Sequence, residues 1–235
     1  MKILITEEQR DKLILKIPDI RLFGGWDGLQ EFLKLKGNPD YIIDGDLKLS
    51  YSVVKSLGDL ISVDGDLNLY GTRIESLGSL KSVGGYLFLN MSTIESLENL
   101  ESVGGNLNLY ETPIKSLGNL KSVGGYLDLN VTDIESLGGL KSVRGRLSLK
   151  YSPIKSLGDL KSVGDYLFLE DTPIETLGNL ESVGGTLYLK DTPITSFGKL
   201  KYVGGHLDII RTPISKKYSE EEIRKMVNVG GDIYM

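Results

Sequence analysis

The chain has 235 residues, 40% of them hydrophobic and 25% charged, which is enough for a folded protein with a sizeable core. Its net charge of −5 provides no basic field that would favour a nucleic-acid backbone or an anionic membrane. It contains no Cys, which excludes disulfides, thiol catalysis and thiolate metal sites.

The first part of the chain lacks the regularity of the rest and predicts an N-terminal α/β cap over residues 1–40. Residues 1–5 have the pattern of a short strand, and residues 6–9 (TEEQ) have that of a capping box for a helix to about Lys16. Residues 27–37 begin with a similar signal, at Asp27-Gly28-Leu29-Gln30, and predict a second helix. The N-terminus lacks the apolar run of a secretory signal, so we expect a cytoplasmic protein.

From residue 41 to residue 215 the sequence repeats with a fixed period of 20, without insertion or deletion, for about nine repeats. Six apolar positions recur in every repeat, in the order Val, Leu, Leu, Ile, Leu, Leu. Self-similarity of this kind is typical of a solenoid, in which each turn buries its apolar side against its neighbours.

The repeat SVGGYLDLNVTDIESLGGLK, residues 122–141, illustrates the local pattern. Leu127 and Leu129 alternate with polar residues, which predicts one short strand per turn with both leucines facing inward. The Gly pair before them predicts a backbone turn that tolerates positive φ. Pro in five repeats makes a helix in the rest of the turn unfavourable, so we expect extended or 3₁₀ segments there.

The segment YLDLNVTDI resembles the strand motif L-x-x-L-x-L-x-x-N-x-L of the leucine-rich repeat, with Thr132 where that family usually has Asn. The pattern V-x-G-x-L-x-L is also similar to the receptor L-domain. These resemblances cover about three quarters of the chain. They imply a mainly β, right-handed parallel β-solenoid of leucine-rich-repeat type with helical N- and C-terminal caps, built as a general binding scaffold.

Residues 216–235 predict a C-terminal cap in one continuous domain with the solenoid. Ser219 precedes the acidic helix start EEEIRKMV, and residues 229–235 restore the strand motif once more. This tail is similar to the ends of uncharacterised repeat proteins of tailed phages and bacteria. The resemblance implies the cytoplasm of a bacterial host or of a phage-infected cell.

The sequence offers no unique constellation of catalytic residues, so we expect a protein that is not an enzyme, without cofactor and without metal. The single His, His206, has no second His for a metal site, and no phosphate-binding or nucleophile motif is present. The Gly pairs recur in every repeat, which turn geometry explains. Calcium-binding repeats need a third Gly where GGYLDL has Leu127, so calcium is not expected.

A column of hydroxyl residues follows each strand, from Ser52 through Thr132 to Thr212. Two interpretations of this column are possible from the sequence. Each hydroxyl could bond to the backbone of its own turn, as Ser and Thr often do. Alternatively, the column could form a flat array that orders ice, as on the β-solenoids of insect antifreeze proteins, although only one rank is present here.

Variation is concentrated at the outward positions of the predicted strand, where Tyr and Phe are frequent. We predict a binding face formed by Tyr70, Tyr86, Phe88, Tyr110, Tyr126, Asp128, Tyr166, Phe168 and Tyr188. Aromatic residues among Asn, Asp and Lys on a rigid sheet suit a protein, peptide or glycan partner, with protein favoured, no nucleic acid and no membrane. Aromatic residues also favour strands for structural reasons. We expect a monomer. The alternative is a structural or assembly element, for instance phage-associated, that works through self-association or its capped ends.

Overall fold

Two parallel sheets run side by side along the computed structural model, which describes residues 14–235. Each turn contributes one short strand to each sheet. The predicted mainly β, parallel solenoid with a short strand in every turn is therefore confirmed, and the Ser-Val segment of the repeat adds a second sheet. The strands of the first sheet are Leu15–Ile17, Tyr41–Ile43, Leu60–Val63, Ser82–Val83, Ser102–Val103, Ser122–Val123, Ser142–Val143, Ser162–Val163, Ser182–Val183, Tyr202–Val203 and Asn228–Val229. Those of the second sheet are Leu47–Lys48, Leu67–Asn68, Leu87–Phe88, Leu107–Asn108, Leu127–Asp128, Leu147–Ser148, Leu167–Phe168, Leu187–Tyr188, Leu207–Asp208 and Ile233–Tyr234.

The register between turns follows the sequence period. Val123 pairs with Val103 and Val143, and Leu127 pairs with Leu107 and Leu147. On a third side of the coil, isolated parallel bridges join Ser56 to Ser76, Ser96 to Ser116, Ser136 to Ser156 and Thr176 to Ser196. Because the step is constant, residues in one column of the repeat lie above one another on one side of the coil.

The interior contains the six predicted apolar columns. From Ile74 to Ile194, every Val, Leu and Ile of these columns is buried, most of them completely. Tyr41 closes the stack near the N-terminal end, where its hydroxyl donates to the carbonyl oxygen of Leu57 at 3.3 Å and accepts from the Gln30 amide at 3.2 Å. The core is thus one continuous column, in which each turn covers the apolar side of the next.

The Gly pairs mark the corner between the two sheets, but the predicted reason for them is wrong. The second residues of these pairs, such as Gly85 and Gly105, and the first ones, such as Gly104, do not have positive φ. Glycine is favoured there because successive turns approach closely: a Cβ at Gly104 would lie 2.1 Å from the carbonyl oxygen of Gly84. Asp64 and Arg144 nevertheless occupy the first position in two turns, so the coil can adjust locally to a side chain. Asp165 replaces the second glycine, and its N–H···O bond to Gly145 lengthens to 3.3 Å, against 2.9 Å for Gly105 to Gly85.

The hydroxyl column points inward, at the corner that follows the second sheet. Thr132 is 5% exposed, and its hydroxyl donates to the carbonyl oxygen of Leu129 at 2.8 Å. The same bond is made by Thr72, Thr112, Ser152, Thr172, Thr192 and Thr212. The backbone-bonding prediction is confirmed for these seven residues, whereas the hydroxyls of Ser52 and Ser92 have no hydrogen-bond partner among the described residues. The ice-ordering alternative is overturned, because a buried column cannot present hydroxyls to ice.

The third side consists of extended segments joined by exposed ion pairs. Lys55 pairs with Glu75 at 2.9 Å, and equivalent pairs join Lys115 to Glu95 and Lys155 to Glu135. Each exposed pair contributes about 0–1 kcal/mol. Helix begins on this side only at Pro213, where α2 (Pro213–Lys217) is capped by the Thr212 side chain. Pro at the first helical position is favourable, because its missing N–H would have no helical partner there.

The N-terminal cap contains a 3₁₀ turn, Ile20–Phe23, and a helix, α1, Trp26–Leu35. The second predicted helix therefore forms, but its N-cap is Gly25 rather than Asp27, and no side chain caps it. The first predicted helix was extended too far, because Leu15–Ile17 is a strand that pairs with Tyr41–Ile43. The predicted strand at residues 1–5 and the predicted helix start at residues 6–9 lie outside the described residues.

Within residues 14–235, no helix is long and apolar enough to cross a membrane.

The C-terminal helix forms where the sequence predicts it. The helix α3, Glu220–Met226, begins with a capping box between Ser219 and Glu222. After it, Asn228–Val229 joins the first sheet and Ile233–Tyr234 joins the second, so the last turn is interrupted by helix and then completed. Arg224 donates to the carbonyl oxygens of Val229 at 3.1 Å and Gly231 at 3.0 Å.

Candidate functional site

The predicted binding face lies on the outward side of the second sheet, and we call this side the outward face. Its positions are the residues immediately before, between and after the two inward leucines of each turn. Tyr86, Tyr110 and Tyr166 are the most exposed of the predicted residues, at 44%, 36% and 41%. The other predicted residues are half-buried against their neighbours. All nine thus share one side of the coil.

The aromatic rings form two groups rather than one continuous surface. In the first group, Tyr86 and Phe88 meet edge to face at 6.0 Å. In the second group, the rings of Phe168 and Tyr188 are stacked at 4.8 Å, and Tyr166 lies 6.0 Å from Phe168. Tyr86 and Tyr166 belong to one column four turns apart, so about 19 Å separates the groups at ~4.8 Å per turn.

Between the two groups, Tyr126 and Asp128 are engaged with their neighbours. The Arg146 guanidinium lies 4.8 Å from the centre of the Tyr126 ring. Asp128 accepts the backbone N–H of Asn130 at 3.0 Å. Burial among these side chains raises the pKa of the Asp128 carboxyl, and this N–H and Arg146 offset only part of that effect.

The first outward column contains a ladder of side chains that accept hydrogen bonds. Asp66 accepts the backbone N–H of Tyr86 at 2.7 Å, which is the residue in the same column of the next turn. Equivalent bonds join Asp46 to Asp66 N, Asn106 to Tyr126 N, Thr186 to His206 N and His206 Nδ1 to Asp232 N. Tyr86, Tyr126, Arg146 and Tyr166 interrupt this ladder, because none of these side chains carries a hydrogen-bond acceptor close to its own backbone.

The ionic groups divide the face into two halves. The C-terminal half, residues 146–211, carries as many cations as carboxylates among its outward and corner positions, and several of them are paired. Lys150 contacts Glu170 at 2.8 Å, and Arg211 pairs with Asp191. Lys150 also lies 4.6 Å from the centre of the Phe168 ring. Since Lys150 and Tyr188 belong to the turns before and after Phe168, this ring is enclosed from both sides.

The N-terminal half, residues 46–131, is acidic. Its outward and corner positions carry four carboxylates, Asp46, Asp66, Glu111 and Asp128, and one cation. That cation, Lys48, lies 3.7 Å from Asp46. Among the described residues, the other three carboxylates form no salt bridge.

Sequence reasoning missed a row of apolar residues at the corner after the second sheet. This corner ridge consists of Tyr51, Met91, Val131 and Tyr151, which are 45–71% exposed and have φ between 54° and 59°. The left-handed region disfavours such residues, most of all the β-branched Val131. Tyr70 connects the ridge to the face: its ring lies 4.9 Å from that of Tyr51, and its hydroxyl contacts Met91 Sδ at 3.3 Å. The signal in the sequence was an apolar residue at one polar column of several repeats.

The outer surface of the first sheet differs in character. A shallow groove of about 450 Å³ runs along it, lined by Ser82, Ser102, Ser122 and the neighbouring glycines, with Asp64 and Arg144 at its ends. None of the predicted face residues lines it. Among residues 14–235, no cluster of three or more His, Asp or Glu has the arrangement of a metal site.

Comparison of the chain with known protein families, with curated proteins and with solved structures found no significant match. The geometry of the outward face is therefore the basis for the functional argument. His206, the single His of the sequence, contributes its Nδ1 to the hydrogen-bond ladder of the face.

Proposed function

We propose that this protein is a non-enzymatic binding scaffold that recognises a protein partner through the outward face of its second sheet. On this proposal it works in the cytoplasm, as a monomer, in the way that leucine-rich-repeat proteins use the outward side chains of their strands. The proposed similarity to repeat proteins of tailed phages and bacteria is compatible with such a role. No catalytic residue, cofactor or metal takes part.

The interruption of the hydrogen-bond ladder is the observation that carries the proposal. Wherever Asp, Asn, Thr or His occupies the first outward column, it satisfies a backbone N–H of the next turn. Tyr86, Tyr126 and Tyr166 forgo that bond, whose net value is about 1 kcal/mol, and Tyr86 and Tyr166 expose part of an aromatic ring as well. Side chains that cost stability and face solvent favour a role in recognition, because Tyr is enriched at binding hot spots.

The other candidate, an assembly element that stacks through its ends, receives less support from the C-terminal end. In the interior, the carbonyl oxygens of Val83 and Gly85 accept the N–H groups of the next turn. At the last turn the Arg224 guanidinium occupies these two acceptors, on Val229 and Gly231. A sheet edge covered in this way is a poor template for a second chain.

The test compares two triple variants made in the same three turns. In the first, Tyr86, Tyr110 and Tyr166 are changed to Ser; Phe168 is kept because it is enclosed in the second aromatic group. In the control, Lys81, Glu101 and Lys161 are changed to Ser; these exposed residues stand immediately before strands of the first sheet.

Each protein is immobilised and used to capture partners from a lysate of the source organism, with quantification by mass spectrometry. We expect a partner that the wild type and the control retain and that the tyrosine variant loses by at least tenfold, while circular dichroism shows all three folded. Partners captured equally by all three folded proteins would reject the proposed face.

A further inference from the structure

We infer that the N-terminal half of the outward face, together with the corner ridge, binds a cationic polypeptide segment in which Lys or Arg alternates with apolar side chains. This inference rests on the proposed function, because it specifies the chemistry of the partner at the same face. It goes further than that proposal because it assigns binding to the N-terminal half of the face and specifies a cationic ligand.

The first step of the argument concerns apolar area. In the N-terminal half, Tyr70 on the face contacts Tyr51 and Met91 on the ridge, and Tyr86 and Phe88 contact each other in the next turn of the face. Tyr51 is 71% exposed and Met91 52%. Exposed apolar side chains that are contiguous, rather than scattered singly, mark interaction sites on soluble proteins.

The second step concerns charge. The N-terminal half carries four carboxylates and one cation at its outward and corner positions, and its Asp66, Glu111 and Asp128 form no salt bridge among the described residues. At the same positions of the C-terminal half the numbers of cations and carboxylates are equal, and Glu170 and Asp191 are paired within the protein. A cationic ligand would supply the counter-charges that the N-terminal half lacks. Complementary potentials of this kind determine which partners associate and how fast they do so.

The third step concerns the form of the ligand. Along the axis the carboxylates Asp46 and Asp66 are one turn apart, and Asp128 lies about three turns further, or ~15 Å at ~4.8 Å per turn. Aromatic side chains occupy the turns between them. A single cationic group cannot reach all of these positions, but an extended segment of several residues can, since it advances ~3.3 Å per residue. The alternation of charged and apolar groups on the face is then matched by alternation in the ligand.

The probe is a random twelve-residue peptide library displayed on phage and selected against the full chain. Two variants separate the contributions. In the acidic variant, Asp66 and Asp128 become Asn and Glu111 becomes Gln, so the side-chain oxygens that accept the N–H groups of Tyr86 and Asn130 are kept. In the matched control, Asp171, Asp191 and Asp208 of the C-terminal half become Asn.

We expect the selected peptides to be enriched in Lys and Arg together with aromatic or aliphatic residues. Fluorescence anisotropy with synthetic copies should show binding that weakens about tenfold or more in the acidic variant and less than about twofold in the control. Raising the salt concentration should weaken wild-type binding more than binding to the acidic variant, because salt screens the attraction.

Two results would overturn the inference while leaving the proposed function intact. One is the selection of neutral or acidic peptides whose binding is lost when Tyr86, Tyr110 and Tyr166 are Ser. The other is self-association of the wild type in sedimentation experiments that the acidic variant abolishes, since a second copy would then be the occupant. Peptides that bind independently of the tyrosines, or failure to select any, would count against both the inference and the proposed function.

Discussion

The two halves of the outward face share one backbone frame and use it differently. In the C-terminal half, Lys150, Phe168 and Tyr188 stack across three successive turns, and Glu170 neutralises Lys150. In the N-terminal half, Phe88 contacts the ring of Tyr86 in its own turn, and its column neighbours are Asn68 and Asn108. In the C-terminal half more of the rings and charges contact one another, whereas in the N-terminal half three carboxylates form no salt bridge among the described residues.

This difference shows that the inward and outward columns of the repeat have different roles: the inward residues form the coil, and the outward residues either stabilise it or remain free for a ligand. The inward columns are apolar in both halves, and every turn keeps at least one glycine at the corner, so these positions determine the coil and do not distinguish one half from the other. The outward columns differ between the halves, and they decide whether a stretch of face stabilises the coil or remains available to a ligand.

The largest expected effect is a loss of stability on glycine substitution, and it tests whether both halves share the same backbone geometry. Gly104→Ala and Gly184→Ala each place a Cβ 2.1 Å from a carbonyl oxygen of the preceding turn. We expect each to lower the free energy of unfolding by about 2–3 kcal/mol, and by similar amounts, because the backbone of two turns has to move apart in both cases. Urea unfolding followed by circular dichroism measures this.

The control for these variants is Gly139→Ala. The nearest atom to a Cβ at Gly139 is Nζ of Lys121, the mobile end of a flexible side chain, at 3.0 Å. We expect a change within about 0.5 kcal/mol. A large effect at Gly104 and none at Gly184 would mean that the halves differ in backbone as well as in side chains.

A smaller effect should distinguish the two phenylalanines of the same column. Phe168→Ser removes a ring enclosed by Lys150 and Tyr188, and we expect a loss of about 1–2 kcal/mol in unfolding free energy. Phe88→Ser should cost less, because Phe88 has no aromatic or cationic neighbour in its column among the described residues. Equal losses in urea unfolding would contradict the contrast between the two halves.

The smallest effect concerns the acidic half and depends on pH. The raised pKa of Asp128 means that the folded state holds this proton more tightly than the unfolded chain does. The stability associated with the protonated form is complete below the unfolded pKa and is lost as pH rises through the folded pKa. Asp128→Asn stays neutral and keeps an acceptor for Asn130, so it should be more stable than the wild type at pH 7, by less than about 1 kcal/mol.

Thermal unfolding of both proteins between pH 3 and pH 8 checks this prediction. The difference between them should shrink as pH falls below the range in which the carboxyl ionises. The reciprocal change, Asn108→Asp, places a carboxylate in the same column one turn earlier, where Asn108 accepts the N–H of Tyr110. It should lower stability at pH 7; a gain there would show that burial does not govern this column.

Much of the fold could be predicted because the same inward apolar positions recur in every repeat. Leu127 and Leu129 reveal a strand face, and the period of 20 makes every turn repeat it. The reason for the glycines could not be read in this way, since the sequence does not contain the distance between Gly104 and the preceding turn. That distance arises only when turns stack, and it was mistaken for a requirement on φ.

The sequence predicts which residues lie on the outward face, but not which of them contact one another. Alternation places Tyr86 and Phe168 on the outward side, because neighbouring residues of a strand face opposite ways. It does not reveal which rings meet across turns, so the enclosure of Phe168 was not foreseen. The corner ridge was missed because the left-handed conformation of Val131 is a property of the backbone path. Arg224 was likewise unpredictable, since its acceptors lie in a strand formed after the helix.

The constant register between turns also has an evolutionary consequence. Because Val123 pairs with Val103 and Val143 in the same way, removing or duplicating one 20-residue unit leaves every buried column in phase. Unequal recombination between such similar segments can therefore lengthen, shorten or reorder the outward face without altering a core contact. In such a lineage the binding specificity can change faster than the fold, through the gain or loss of single 20-residue repeats.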